Sequence, residues 1–333
     1  MSEHPVPPSF DLPPGRHEFH KERLMTQIDT STRTSRGTRT PRRSFFLRPA
    51  FALPALALLA AGITGVVVTQ RSDDSAPAAI TEPAQFADPD AGSPSGVNQL
   101  VNRMVLVAAT RKEGATPTGD WVYINSKSTN IFIRGNADNG EEKQVSTVSN
   151  RETWNSLDGT KGWLIQSGVD QKAGGETLDG PGGGTLNGPS YAFLAALTTD
   201  PDALLARIYA ETKGMGNGPD SEAFTTIGDL LGESYPPAAL YPALYRAAAK
   251  IPGVLVVDDA VDASGRHGIA LARVDELGSR EELIFDKKDY TFLGQRSVRT
   301  TDDADGIKAG TVTFSSAILA RALVGEMKQV PAN

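Results

Sequence analysis

Trp121-Val-Tyr-Ile-Asn-Ser-Lys-Ser-Thr-Asn-Ile-Phe-Ile133, a turn at Gly135-Asn-Ala-Asp-Asn-Gly140, and then Lys143-Gln-Val-Ser-Thr-Val-Ser-Asn-Arg-Glu-Thr-Trp154 form the stretch that decides the fold. Apolar and polar side chains alternate with a period of two, and β-branched and aromatic types dominate. An Asn/Asp/Gly cluster separates the two runs, so they read as one or two strands returning on themselves as an antiparallel hairpin. A tight turn at Leu157-Asp-Gly-Thr-Lys161 leads into a further strand at Gly162-Trp-Leu-Ile165.

Downstream the pattern changes twice. Gly174 to Pro189 holds Gly174, Gly175, Gly180, Gly182, Gly183, Gly184 and Gly188, a composition that reads as a flexible connector. Asp200-Pro201 then looks like an N-cap with proline in the first turn, opening a helix over Pro201–Lys213. Helices over Ser221–Leu231 and Pro237–Lys250 follow, the last ended by Pro252-Gly253. Strand-like runs return at Val254–Val261, Ile269–Val274, Glu281–Phe285, Thr291–Val298 and about 311–319. Before the first hairpin, Val97, Leu100, Val101, Met104, Val105 and Ala108 recur at helical spacing. Together these predict an α+β domain over 97–325, an antiparallel sheet of half-barrel type with a helical insertion over one face.

Upstream lies a different kind of chain. Residues 71–96 are rich in Asp, Ala, Pro, Ser and Gly and read as a flexible linker. Pro49 to Gln70 contains no charge, and about 20 apolar helical residues match a hydrocarbon core roughly 30 Å thick. This predicts one transmembrane helix over 49–70. Residues 1–48 carry nine Lys/Arg against five Asp/Glu, and the remainder carries 24 against 35. Basic flanks stay on the cytoplasmic side, so the tail reads as inside and the large domain as extracytoplasmic. The rival reading is a cleaved signal, since Arg42-Arg43-Ser-Phe-Phe-Leu47 resembles a twin-arginine export motif and Ala76-Pro-Ala78 could serve cleavage. More than forty preceding residues favour the uncleaved anchor. Within the largely disordered tail, Phe19, Leu24 and Ile28 fall near one face of a short amphipathic helix at about 16–28, a candidate face for a cytoplasmic partner.

With no cysteine, disulfides, thiolate nucleophiles and Cys-ligated metals are excluded. His267 is the one histidine beyond the span, in Gly265-Arg-His-Gly268, and no Gly-x-Ser-x-Gly elbow accompanies it. His17 and His20 lack the order of a zinc helix. The glycine loop has no Gly-Lys-Ser/Thr continuation and opens no strand-to-helix turn, so it is neither a phosphate loop nor a dinucleotide fingerprint. Asp258-Asp259, Glu281-Glu282 and Asp302-Asp303 are sequence neighbours that point to opposite faces of a strand, not a carboxylate dyad. No basic stripe interleaved with aromatics suggests a nucleic-acid partner. The expectation is a non-enzymatic domain without metal or cofactor. Trp121, Tyr123, Phe132, Trp154, Trp163, Phe285 and Phe292 are read as lining one face of the sheet, where they form an apolar groove for an acyl chain or peptide.

Several segments carry a resemblance. Leu12-Pro-Pro-Gly-Arg-His17, Leu197-Thr-Thr-Asp-Pro-Asp-Ala-Leu204, Phe224-Thr-Thr-Ile-Gly-Asp-Leu-Leu231 and Ile251-Pro-Gly-Val254 through Gly268, with Glu281–Asp286 and Tyr290–Gly294, resemble an actinobacterial family of single-pass membrane proteins. Members are often encoded beside extracytoplasmic-function sigma factors, and the family has no settled activity. The resemblance spans most of residues 10–300 and implies a sigma factor as cytoplasmic partner. The strand meander with its turn at Asp286–Gly294 is also similar to half-barrel envelope proteins, among them lipoprotein carriers and periplasmic regulators of sigma-factor signalling. This second similarity implies the alternative of a membrane-tethered lipid or lipoprotein chaperone.

Overall fold

A computed structural model describes residues 85–110, 119–135, 142–167, 174–303 and 306–331. The basic tail with Phe19, Leu24 and Ile28 and the apolar run 49–70 lie outside these residues. No helix among the described residues is long and apolar enough to cross a membrane.

The domain opens with helix α1, Val97–Thr110, which buries the six apolar residues whose spacing predicted it. Strands β1 (Trp121–Gly135) and β2 (Glu142–Ser156) form the expected hairpin, paired without interruption from Trp121 opposite Ser156 to Gly135 opposite Glu142. Strand β3 (Gly162–Ser167) and the short β4 (Glu176–Thr177) extend the sheet outward. The helical insertion comprises α2 (Tyr191–Ala195), α3 (Pro201–Glu211), α4 (Pro219–Gly232), a 3-10 turn at Ala238–Leu240 and α5 (Tyr241–Lys250). Asp200 caps α3 as its position promised, accepting from the Ala203 amide at 2.8 Å. Strands β5 (Val254–Val261), β6 (His267–Val274), β7 (Ser279–Phe285), β8 (Phe292–Arg299) and β9 (Val312–Val324) complete the chain.

All nine strands belong to one open antiparallel sheet in the order β4-β3-β2-β1-β9-β8-β7-β6-β5, with β4 and β5 at the edges. It consists of two meanders that meet where β1 pairs β9. The front face carries the helices. There Tyr245 of α5 meets Phe285 edge-on at 5.4 Å between ring centroids, and Phe285 meets Phe292 at 5.6 Å.

The back face is covered by the two ends of the described chain. Residues 85–96, read above as the end of a linker, are fastened to the sheet instead. Ala87 donates to Gly310 at 2.8 Å, and Ser93 exchanges both backbone hydrogen bonds with Val256. Beneath this strap the fully buried Glu282 accepts from Arg280 at 2.8 Å and Arg296 at 2.6 Å. Arg280 also donates from Nη1 to Pro89 O (2.6 Å) and from Nη2 to Asp88 O (2.8 Å). Buried charges are tolerated only when paired and hydrogen-bonded, and here the strap's own backbone completes the set. A Pro/Ser/Gly-rich composition announces a linker; the partners that fix this one lie 191 and 192 residues away in sequence, beyond any local pattern. On the other half, the segment after β9 turns back to Trp154, which donates to Gln329 O, and to Trp163, whose ring meets Lys328.

Candidate functional site

Between the front face of β1–β3 and the helical insertion is a cavity of about 660 Å³. Its floor follows from the pleat. Val122 and Ile124 of β1 point forward, as do Thr153 and Asn155 of β2, because Tyr123 and Trp154 between them point back. The roof is the glycine loop with Leu178 and Leu186; Tyr191 of α2, Met215 beyond α3 and Tyr235 beyond α4 close the sides.

The loop expected to be a flexible connector has a defined conformation. Gly183 donates to Asp158 O at 2.9 Å and Gly180 to Thr160 O at 3.1 Å, so the roof hangs from the β2–β3 turn. That turn is fixed by the Asp158 carboxylate, which accepts from Ser156 Oγ (2.7 Å) and the Thr160 amide (3.0 Å). These bonds, Ser156 first, hold its pKa down at about 2. Gly182, Gly183 and Gly184 have φ of 79°, 80° and 89°, where a β-carbon is strained, and at Gly184 one would sit 2.6 Å from the Ser190 amide. Ser190 ties the loop to α2: its hydroxyl donates to Gly183 O at 2.9 Å and accepts from the Phe193 amide at 3.0 Å. Glycine here therefore permits a specific fold of the loop.

The opposite wall is positioned by Arg321 of β9. Its guanidinium lies over the rings of Tyr235 (5.7 Å) and Tyr241 (5.6 Å) and donates to Leu231 O at 2.7 Å, closing the last turn of α4. The result is a cavity whose lining combines apolar side chains with hydroxyl and amide groups and the charged Arg151, Glu211 and Glu233. Its volume is in the range of small-molecule sites, about 300–1,000 Å³. Chemically this suits non-covalent capture of a largely apolar ligand that also carries polar groups.

The structure divides the expected aromatic groove between two faces. Trp121, Tyr123, Trp154 and Trp163 are gathered on the back, with Tyr123 and Trp154 at 5.0 Å between ring centroids. Phe285 and Phe292 belong to the front core under α5. Phe132 lies in β1 opposite Val145 in the hairpin register. The reason is that Trp121-Val-Tyr-Ile124 is apolar at four successive positions. Such a strand is buried on both faces, and composition alone cannot say which residues face forward. Thr153, Asn155, Leu186 and Tyr235, which line the actual cavity, carry no individual sequence signal. The nearest hint was the proximity of the glycine run to the Asp158-Gly159 turn.

His267 sits at the start of β6, exposed, with Nδ1 3.0 Å from Asp259 Oδ2; Lys287 holds the other oxygen at 2.7 Å. The hydrogen bond from Lys287, reinforced by His267, lowers the Asp259 pKa. Among the described residues no three acidic or histidine side chains gather closely enough to hold a metal ion.

No family model and no curated relative matches the chain. Among solved structures it is similar to one reported as the crystal structure of MucB, at 11% identity and a TM-score of 0.23. That alignment covers 70% of this chain and 64% of the MucB chain, so the chain spans a little under two thirds of its length.

Proposed function

We propose that this protein is a single-pass envelope protein whose extracytoplasmic domain binds an apolar ligand in the front cavity. In this reading the run 49–70 is the anchor, the sheet is the wall of a half-barrel, and the domain is a binding module with no enzymatic activity. The basic tail, through Phe19, Leu24 and Ile28, passes the state of the outer domain to a cytoplasmic partner, a sigma factor by the family resemblance. The observation that carries the binding role is the cavity itself, a space of about 660 Å³ roofed by a loop whose glycines are conformationally required.

The test is native mass spectrometry of the full chain, purified from membranes with bound lipid preserved. The expected result is a discrete added mass that is lost in a Thr153→Trp variant of unchanged circular dichroism, because an indole there occupies the cavity. A wild-type protein that comes out empty, or a folded variant that keeps the mass, overturns the reading. If the purified protein passes its ligand to acceptor vesicles or to an apolipoprotein, the tethered-chaperone alternative replaces the sensor.

A further inference from the structure

All three tryptophans of this chain, Trp121, Trp154 and Trp163, lie in one back-face patch with Tyr123. Tyr123, Trp154 and Trp163 are direct cross-strand partners, so their side chains form a row across β1, β2 and β3. What covers the row is the segment 325–330, and it does so in an unusual way. All of its residues are exposed, and its apolar side chains Met327 and Val330 are 39% and 57% exposed, directed to solvent. Two polar contacts hold it instead. The indole N–H of Trp154 donates to Gln329 O at 2.7 Å, and Lys328 Nζ stands 3.5 Å from the centre of the Trp163 ring. Lys328 adopts φ 74°, a conformation that costs a non-glycine residue energy. The indole N–H of Trp163 is shielded from solvent and has no acceptor among the described residues.

We propose that the tryptophan row is a docking site for an extended basic peptide of a partner protein, and that Gly325–Val330 is an intramolecular stand-in which the partner displaces. The contacts in place define the ligand chemistry: a cationic side chain on Trp163, followed at the next residue by a backbone carbonyl for Trp154. Glu152, which accepts from the Tyr123 hydroxyl at 2.6 Å, places a carboxylate beside the row. The chain beyond residue 48 is strongly acidic, with 35 Asp/Glu against 24 Lys/Arg, and so favours a basic partner. A tethered occupant competes at high effective concentration, so the site admits a partner only when that partner makes contacts the stand-in lacks.

Because no tryptophan lies elsewhere, intrinsic fluorescence reports this site alone. The experiment titrates a synthetic peptide of residues 325–333 into the full chain and into a chain ending at Val324. The shortened chain is expected to bind the peptide one-to-one with a saturable change in tryptophan emission, at least about tenfold more tightly than the full chain does. A peptide carrying the Lys328→Glu change should not bind. A folded shortened chain that ignores the peptide, or equal binding by both chains, overturns the proposal. A second variant covers the case in which shortening unfolds the domain. Full-length Lys328→Glu should expose the tryptophans to acrylamide and admit the wild-type peptide; unchanged quenching with exclusion of the peptide overturns the proposal as well.

Discussion

The two halves of the sheet are built from similar strands yet differ on both faces. Under β5–β8 the front is closed by Tyr245, Phe285 and Phe292, and the back by Ala270, Ala272 and Ile284 beside the buried Arg280–Glu282–Arg296 set. Across β1–β4 the front holds a cavity, and the back holds an aromatic row under an exposed segment. Buried charge joins the strap to one half, whereas the other half leaves a space in front and is covered behind by an exposed segment. In the proposed function the first half is scaffold and the second meets the ligand.

The largest expected effect tests the scaffold half. Glu282→Ala leaves two buried guanidiniums without their carboxylate and should cost about 3–5 kcal/mol in denaturant unfolding, with the strap 85–93 released to proteolysis. A cost near that of an ordinary surface change would remove the distinction between the halves. Gly184→Ala sharpens the other side: strain at φ 89° and the contact with the Ser190 amide should cost about 1–3 kcal/mol. Proteolytic cleavage should then appear within the roof loop while β5–β9 stay protected. The smallest effect is a matter of pH. Burial, then the hydrogen bond to Glu152, pushes the Tyr123 pKa up to about 12. The folded state therefore favours the neutral phenol, so its contribution is complete below pH 10 and is lost as pH rises through about 12. Tyr209, also raised to about 12 by burial and Asp220, adds a parallel loss, so Tyr123→Phe should remove about half of the alkaline fall in stability.

How far the sequence disclosed this architecture depended on the range of the forces involved. The β1–β2 hairpin, α1 and the Asp200 cap were legible because periodicity and capping act over a few residues. The placement of Phe285 on the front was not, since β7 ends in three successive apolar residues, and Trp154 follows its partner Tyr123, which lies in a run apolar on both faces. The glycine loop misled for a related reason. Its composition speaks of freedom, whereas its conformation is set by the carbonyls of Asp158 and Thr160 and by Ser190. The cavity is a product of three segments brought together, and no one of them bears its mark.

The pairing of β1 with β9 has a consequence for how the chain is made. Strand β1 is complete at Gly135, and its second neighbour begins only at Val312. At roughly 5–20 residues per second, the ribosome needs on the order of 10–40 s to supply that partner. Throughout that interval the nascent hairpin presents a bare strand edge, a template for wrong pairings. Closure of this seam, like the docking of the strap on Gly310 and Thr311, must wait for the last strand and is the natural rate-limiting step of folding.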